Sequence, residues 1–400
     1  MQKPSLRIWN RSFIGVFVAN CAVQFAHQMA NSLVSKFTDS LGATATLVGA
    51  VAGTFAVTSL LFKFVSGPAI DAWNRRYIMM FGMSVMAISY LGYSISTTVP
   101  MIVAFRLLQG AGQAFTTTCC LTVAADSLPP EKFSSGIGIY SMAQAAFMAI
   151  GPAIGLALVR GFGYRLTFRI STVIMLLGIF ASAQIRVEPA GFKKIKISLR
   201  STVSREVLLS ASSLFFLMIS FCIIQAFLII YAEGKGVEGI GYYFTVYAGT
   251  LLISRPLVGK LTDRFGIARV IVPAMCCFAL SFFLISTAAS LPAFLLAAFI
   301  SSFGYGACQP AIQTLAMKCV PLERRGAASS TCYIAQDLGT LIGPTIAGML
   351  VDSAGYAIMW RAMTAPIFLS MIVVYVTRGR IGNIEKVFRE RQQAAPEGHR

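Results

Sequence analysis

This 400-residue chain predicts an all-α membrane protein of twelve transmembrane helices in two pseudo-symmetric six-helix bundles. Three observations carry that expectation. The residues are 56% hydrophobic, with 34 glycines besides, and only 12% are charged; a water-soluble fold has too little interior to hide so much apolar surface. The apolar residues fall in about a dozen runs, most of them at least roughly 20 residues long, the length at which a helix crosses the hydrocarbon of a bilayer. The second half of the chain also repeats the first at a constant shift of 192 positions. Disorder, collagen and small disulfide scaffolds are excluded by the composition, and a membrane β-barrel would show shorter, alternating segments.

Taken in order, the run at 12–32 follows Lys3, Arg7 and Arg11. It lacks a short apolar core with a small-residue cleavage site, so it reads as a retained span. Runs at 44–66 and 77–97 are parted by the polar stretch Gly67–Arg76, and 100–124 carries Arg106 before a break at Pro129–Lys132. Runs at 134–159 and 165–185 complete the first six. The segment 187–206 is polar and basic through Lys193, Lys194, Lys196, Arg200 and Arg205; it is a linker, lying along an anionic leaflet or acting as a solvated tether. Then come 207–231, 239–258, a break at Gly259–Arg269, 269–289, 292–317, a break at Pro321–Arg325, 326–351 and 357–377. The expected organisation is a bundle over 1–186, a linker over 187–206, a second bundle over 207–378 and a tail over 379–400.

Twelve spans return both termini to one side. Lysine and arginine collect in cytoplasmic loops, and all 33 fall on the terminal side except Lys36, Arg106, Arg160, Arg165, Arg169, Lys235 and Arg361. Both termini are therefore expected in the cytoplasm. The formal charge of +18 follows from this topology, and no soluble basic face with aromatic platforms offers itself to nucleic acid.

The 192-residue shift lays Lys63 on Arg255, Gly67 and Asp71 on Gly259 and Asp263, and Gly49 on Gly241. It also lays Pro129 and Glu131 on Pro321 and Glu323, Gln144 on Gln336, and Gly151-Pro152 on Gly343-Pro344. A parallel duplication creates a pseudo-two-fold axis along the membrane normal, with a site between the halves. The loop expected after span two holds Gly67, Asp71, Arg75 and Arg76, and its copy holds Gly259, Asp263, Arg264, Gly266 and Arg269. Glycine lets helix ends approach, the aspartate suits a helix N-terminus, and the arginines reach acids or carbonyls. Such a constellation can act as a latch on one face.

On these residues the chain resembles the major facilitator superfamily, whose hallmark between spans two and three is Gly-x-x-x-Asp-Arg-x-Gly-Arg-Arg. The second copy matches better, since Ala72 and Asn74 stand in the first where arginine and glycine are usual. The resemblance implies a gating role for both copies, a cavity lined by spans one, four, seven and ten, and an association of Arg106 with proton transfer. Gly151-Pro152-Ala-Ile-Gly155 resembles a motif of the antiporter branch, with Leu156 where a second glycine is common, and so implies efflux. A monomer in a bacterial inner membrane is the corresponding expectation.

Arg106 inside a span costs at least about 2.5–3.5 kcal/mol, so it faces a cavity or a partner, or snorkels to the outer interface. Gly151, Pro152, Gly155, Gly343 and Pro344 soften or flatten their helices, as hinges or as packing surfaces. His27, Gln113, Gln225, Gln309 and Asp337 are further candidates for proton coupling or the substrate cavity, with Phe25 and Phe227 as apolar lining. Asp337 stands about eleven residues into its span, roughly 16 Å deep. Desolvation penalises a carboxylate's charge there unless it is paired, which makes it a candidate proton carrier. The adjacent pairs Cys119-Cys120 and Cys276-Cys277 cannot face one another on a helix and read as packing residues. No catalytic set, metal motif, phosphate loop or cofactor fingerprint can be assembled. The expected function is export of a small organic molecule by proton antiport with alternating access. Proton-coupled or facilitated uptake, and a transport-dead receptor, are the alternatives.

Overall fold

The computed structural model describes residues 8–128, 133–185, 204–320, 325–384 and 386. Most of the expected linker and tail, and the breaks at 129–132 and 321–324, lie outside these. The first three helices start with side-chain caps. Asn10 accepts from the Phe13 amide at the head of α1, Arg11–Ser40. Thr44 accepts from Leu47 N at the head of α2, Ala45–Ala72, and Asn74 accepts from Arg76 N at the head of α3, Arg75–Ile95. Each satisfies one orphan donor of a helix start. Helix α4 is Val99–Asp126, and Phe133–Ala183 is one helical run that Gly163, at φ 76°, divides into α5 and α6.

The second half follows the same order: α7 Leu208–Gly234, α8 Tyr242–Phe265, α9 Ile267–Thr287, α10 Leu291–Lys318 and α11 Arg325–Ala354. The last span is split into α12, Tyr356–Ala362, and α13, Ala365–Val376. Gly355, at φ 82°, turns α11 into α12 as Gly163 turns α5 into α6, and the two glycines are 192 positions apart. The corresponding turn after the second span is where the copies differ. Gly266 takes φ 88°, whereas Asn74 takes an ordinary φ of −66° and uses its side chain as a cap.

Two sequence boundaries need correction. Gly67, Asp71 and Lys63 belong to the last turns of α2, and Gly259, Asp263 and Arg264 to those of α8, rather than to loops. Membrane helices tolerate Gly and Pro where neighbouring groups take up the freed backbone hydrogen-bonding groups, and α2 runs through Gly67-Pro68 to Ala72. The outward faces are apolar, with Leu177, Phe180, Leu252, Ile253 and Val376 among the exposed side chains. Cys276 is exposed on that surface too, so it is not the packing residue expected. Multi-pass burial in lipid accounts for such a coat.

Within the first bundle α1 packs on α5, α2 on α4, and α3 on α4 and the α5–α6 run; in the second, α7 packs on α11 and α13, α10 on α8 and α9. Across the bundles α2 meets α11 and α5 meets α8, pairs exchanged by the repeat. Glycine sets their spacing. A Cβ on Gly49 would come 1.9 Å from Pro344 O, one on Gly53 2.6 Å from Leu341 O, and one on Gly348 2.3 Å from Ala45 O. The repeat-related Gly241 would place its Cβ 3.0 Å from Ala153 Cα.

These contacts lie at the ends of the helices remote from the termini, a side we term the far face. Polar links reinforce them there. Lys36 Nζ of α1 is 2.6 Å from Glu233 Oε2 of α7, and Arg160 of α5 approaches the same acid at 3.8 Å. Asp352 of α11 accepts from Ala45 N and Thr46 N at 3.0 and 2.8 Å, capping α2 of the opposite bundle. Two of the cations that stood against the terminal-side bias are thus bound to an acid of the other bundle. Gly49→Val or Gly348→Val must push backbone apart, an overpacking of about 1–3 kcal/mol. Both should lower the melting midpoint of the purified protein, while Gly249→Ala, whose Cβ meets nothing within 4 Å, should not.

Candidate functional site

Between the bundles lies a cavity of about 220 Å³. Eight helices line it, α1, α2, α4 and α5 from the first bundle and α7, α8, α10 and α11 from the second. Each presents one stripe at helical spacing. On α1 the stripe is His27, Asn31 and Ser35, on α8 Tyr247, Leu251 and Arg255, and on α11 Tyr333, Gln336, Asp337 and Thr340. Residues three, four or seven apart share a helix face, which explains why so few positions per span reach the centre.

All six internal candidates, His27, Arg106, Gln113, Gln225, Gln309 and Asp337, line this one cavity. Phe25 and Phe227 do not: Phe25 stacks on Phe147 at 5.1 Å, and Phe227 is fully buried against Tyr356. The aromatic lining comes instead from Phe55, Phe221, Tyr247, Tyr305 and Tyr333.

Arg106 is fully buried and does not snorkel. Its Nη2 donates to Asn31 Oδ1 at 2.7 Å and Ala52 O at 3.0 Å, its Nε to Val51 O at 3.3 Å, and its Nη1 to Gln109 Oε1 at 2.9 Å. The guanidinium also lies 4.7 Å from the Phe55 ring centroid. Among the described residues no carboxylate takes part; dipoles of α1, α2 and α4 hold the cation. Gln109 extends the network, since Tyr93 OH donates to its Oε1 at 2.6 Å and its Nε2 lies 3.4 Å from His27 Nδ1.

Asp337 is paired. Its Oδ2 lies 2.6 Å from Lys63 Nζ, and the same ammonium sits 5.4 Å from the Tyr333 ring centroid. The pair joins α2 of one bundle to α11 of the other. Lys63, read from sequence as a loop charge, is therefore the partner that sequence reasoning missed. The repeat offset held a signal for it, because it sets Lys63 opposite Arg255, and Arg255 lines the cavity. The duplication is broken at the acid: Ala145 stands where the repeat equivalent of Asp337 would be. Among the described residues Arg255 makes no hydrogen bond or ion pair.

The remaining candidates fall into place around these groups. Ser32 Oγ donates to Gln225 Oε1 at 3.4 Å across the bundles, and Gln309 Nε2 donates to Gln336 Oε1 at 3.2 Å. Gln113 Oε1 is buried without a hydrogen-bond partner among the described residues. Gly151 and Gly155 face α1, where a Cβ would meet Gln28 and Met29, and Gly343 faces Ile219 O of α7 at 2.5 Å. Pro152 and Pro344 sit inside their helices.

On the terminal face, Arg75 pairs with Asp126 at the end of α4 and donates from Nε to Ile70 O at 3.4 Å. Arg76 Nε is buried without a partner among the described residues. Arg264 lies over the Phe265 ring, 5.2 Å from its centroid, and Arg264 and Arg269 line a shallow groove with Arg378. The side chains of Gly67, Asp71 and Asp263 lie outside the described residues.

Twelve spans, the last of them split into α12 and α13, in two repeat-related bundles around a central polar cavity define a membrane carrier. The Major Facilitator Superfamily profile matches residues 16–239 and 209–396, and the chain belongs to that family. It is 25% identical over 344 residues to an uncharacterized MFS-type transporter of Methanocaldococcus jannaschii, covering 82% of this chain and 88% of that one. It is 25% identical to multidrug resistance protein 1 of Bacillus subtilis, covering 84% and 89%. It is 19% identical to the staphylopine export protein of Staphylococcus aureus, covering 92% and 96%. Among solved structures, a variant of the nucleoside transporter NupG superposes with TM-score 0.76 at 13% identity, covering 92% of this chain and 99% of that one. A POT family transporter with a bound peptide conjugate superposes with TM-score 0.79 at 12% identity, covering 93% and 96%. These likenesses establish the fold.

Removing one member of a sheltered ion pair strands the other's charge, whereas replacing both with apolar groups can be neutral. Lys63→Met and Asp337→Leu should each lower the melting midpoint, and the double variant should recover most of the loss.

Proposed function

We propose that the protein is a secondary active exporter of a small organic molecule, driven by proton antiport through alternating access. The observation that carries this reading is the central cavity, lined from both bundles, bridged by one ion pair and sealed on the far face. Relatives named for multidrug resistance and for staphylopine export support the outward direction. The bundles are assigned to 1–186 and 207–378, joined by 187–206 and followed by a tail over 379–400. Both termini are assigned to the cytoplasm of a bacterial inner membrane, and the working unit to a monomer.

In this scheme the sealed far face is the external one. Asp337 takes the proton: protonation removes its charge, releases Lys63 and uncouples α2 from α11. Arg106 holds α1, α2 and α4 in register through its four hydrogen bonds, and His27, Gln113, Gln225 and Gln309 contact substrate. Asp71, Arg75, Arg76, Asp263, Arg264 and Arg269 close the cytoplasmic face in the opposite state, while Gly151, Pro152, Gly155, Gly343 and Pro344 let α5 and α11 slide and bend. One charge crossing about 100 mV yields roughly 2.3 kcal/mol, enough for about a forty-fold gradient of a neutral solute.

Proteoliposomes with an acidic lumen and a trapped pH dye test the coupling. Adding transported compounds from an amphipathic panel should make the lumen more alkaline as protons leave. Further acidification on addition of compound would establish symport and overturn export by antiport. Asp337→Asn should abolish the proton signal while compound-for-compound exchange persists.

A further inference from the structure

We infer that the cavity is built for an organic anion, a molecule with a carboxylate or similar acid group beside an aromatic or apolar body, and that Arg255 is the residue that meets the acid. The inference rests on the carrier reading above and names its substrate class.

The charges around the cavity lead to this assignment. Among the described residues the lining holds two cations, Arg106 and Arg255, and one carboxylate, Asp337, whose charge Lys63 already matches from beside the cavity. Lys63 and Arg106 are committed. Lys63 holds Asp337 at 2.6 Å, and Arg106 spends its donors on Asn31, Gln109 and the carbonyls of Val51 and Ala52. Arg255 has no such partner among the described residues; it is exposed in the cavity wall about ten residues, roughly 15 Å, before the end of α8. A guanidinium open to the cavity with its donors unspent is placed to take an entering anion. Its planar fork suits a carboxylate better than a point charge would.

The wall next to Arg255 suits the rest of such a molecule. Tyr247 and Leu251 lie on the same face of α8, two turns and one turn before it. Beside them Phe221 and Tyr305 stack at 3.8 Å with rings 5° apart, and Tyr247 reaches Phe221 at 6.2 Å. Gln309 and Gln336, already bonded to one another, supply amide groups at the margin. A volume near 220 Å³ is below the roughly 300–1,000 Å³ of drug-sized sites, so the occupant is small.

The test uses the full chain in detergent and four carboxylates: benzoate, salicylate, 3-phenylpropanoate and hexanoate. Each is compared with its own amide and amine by thermal stabilisation and by displacement titration. Carboxylates should stabilise the protein in preference to their amides and amines. Arg255→Gln should weaken their binding at least about tenfold, and Arg255→Lys less. Lys318→Gln, remote from the cavity, should leave binding unchanged. Equal response to acid and amide, preference for amines, response to no carboxylate, or full binding by Arg255→Gln would each overturn the inference. The same compounds run in the proteoliposome assay keep the two readings apart. Proton exchange with amides or amines alone refutes the anionic class and leaves export standing, whereas carboxylate binding that depends on Arg255 without proton exchange refutes antiport and leaves the class standing.

Discussion

The close approach of α2 to α11, and of α5 to α8, is the constraint on which the rest of the structure depends. Gly49, Gly53 and Gly348 bring backbone of one bundle against backbone of the other, at distances no side chain would allow. In lipid there is little hydrophobic drive between helices, so association relies on packing and interhelical hydrogen bonds. Small residues at the crossing let both operate. The result is a closely packed seam at the far face, with the cavity between the same helices farther along.

That space is polar in a molecule otherwise starved of charge. Placing Arg106 in it is tolerable because its donors are matched to Asn31, Gln109 and two carbonyls, which ties three helices of one bundle into a unit. The ion pair Lys63–Asp337 does the opposite job, linking α2 of one bundle to α11 of the other. One set of polar contacts thus holds a bundle together within itself, and the other joins the two bundles.

Much of this was legible from sequence. Apolar run length gave the spans, the 192-residue offset gave the bundles, and the expense of burying charge singled out Arg106 and Asp337. What was missed has physical reasons. Lys63 counts in sequence only as a terminal-side charge beside the break at Gly67–Arg76, because its partner Asp337 lies on α11, 274 residues away. Phe227 was placed in the cavity because α7 is apolar all round. Only the packed structure shows that its inward stripe is Met218, Phe221, Cys222 and Gln225. The Asn74 position, expected to weaken a glycine turn, changes device instead, trading a positive φ for a side-chain cap. Partners across the bundles, such as Glu233 for Lys36, are set by tertiary geometry that no local pattern encodes.

The cap that Asp352 places on α2 has an energetic meaning of its own. Because the acid belongs to α11 and the amides of Ala45 and Thr46 to α2, any tilt that parts the bundles at the far face also unravels the start of a helix. Losing such a cap costs about 1 kcal/mol, a roughly fivefold weighting of populations. The same two hydrogen bonds therefore count twice, once for the helix they begin and once for the seam between the bundles.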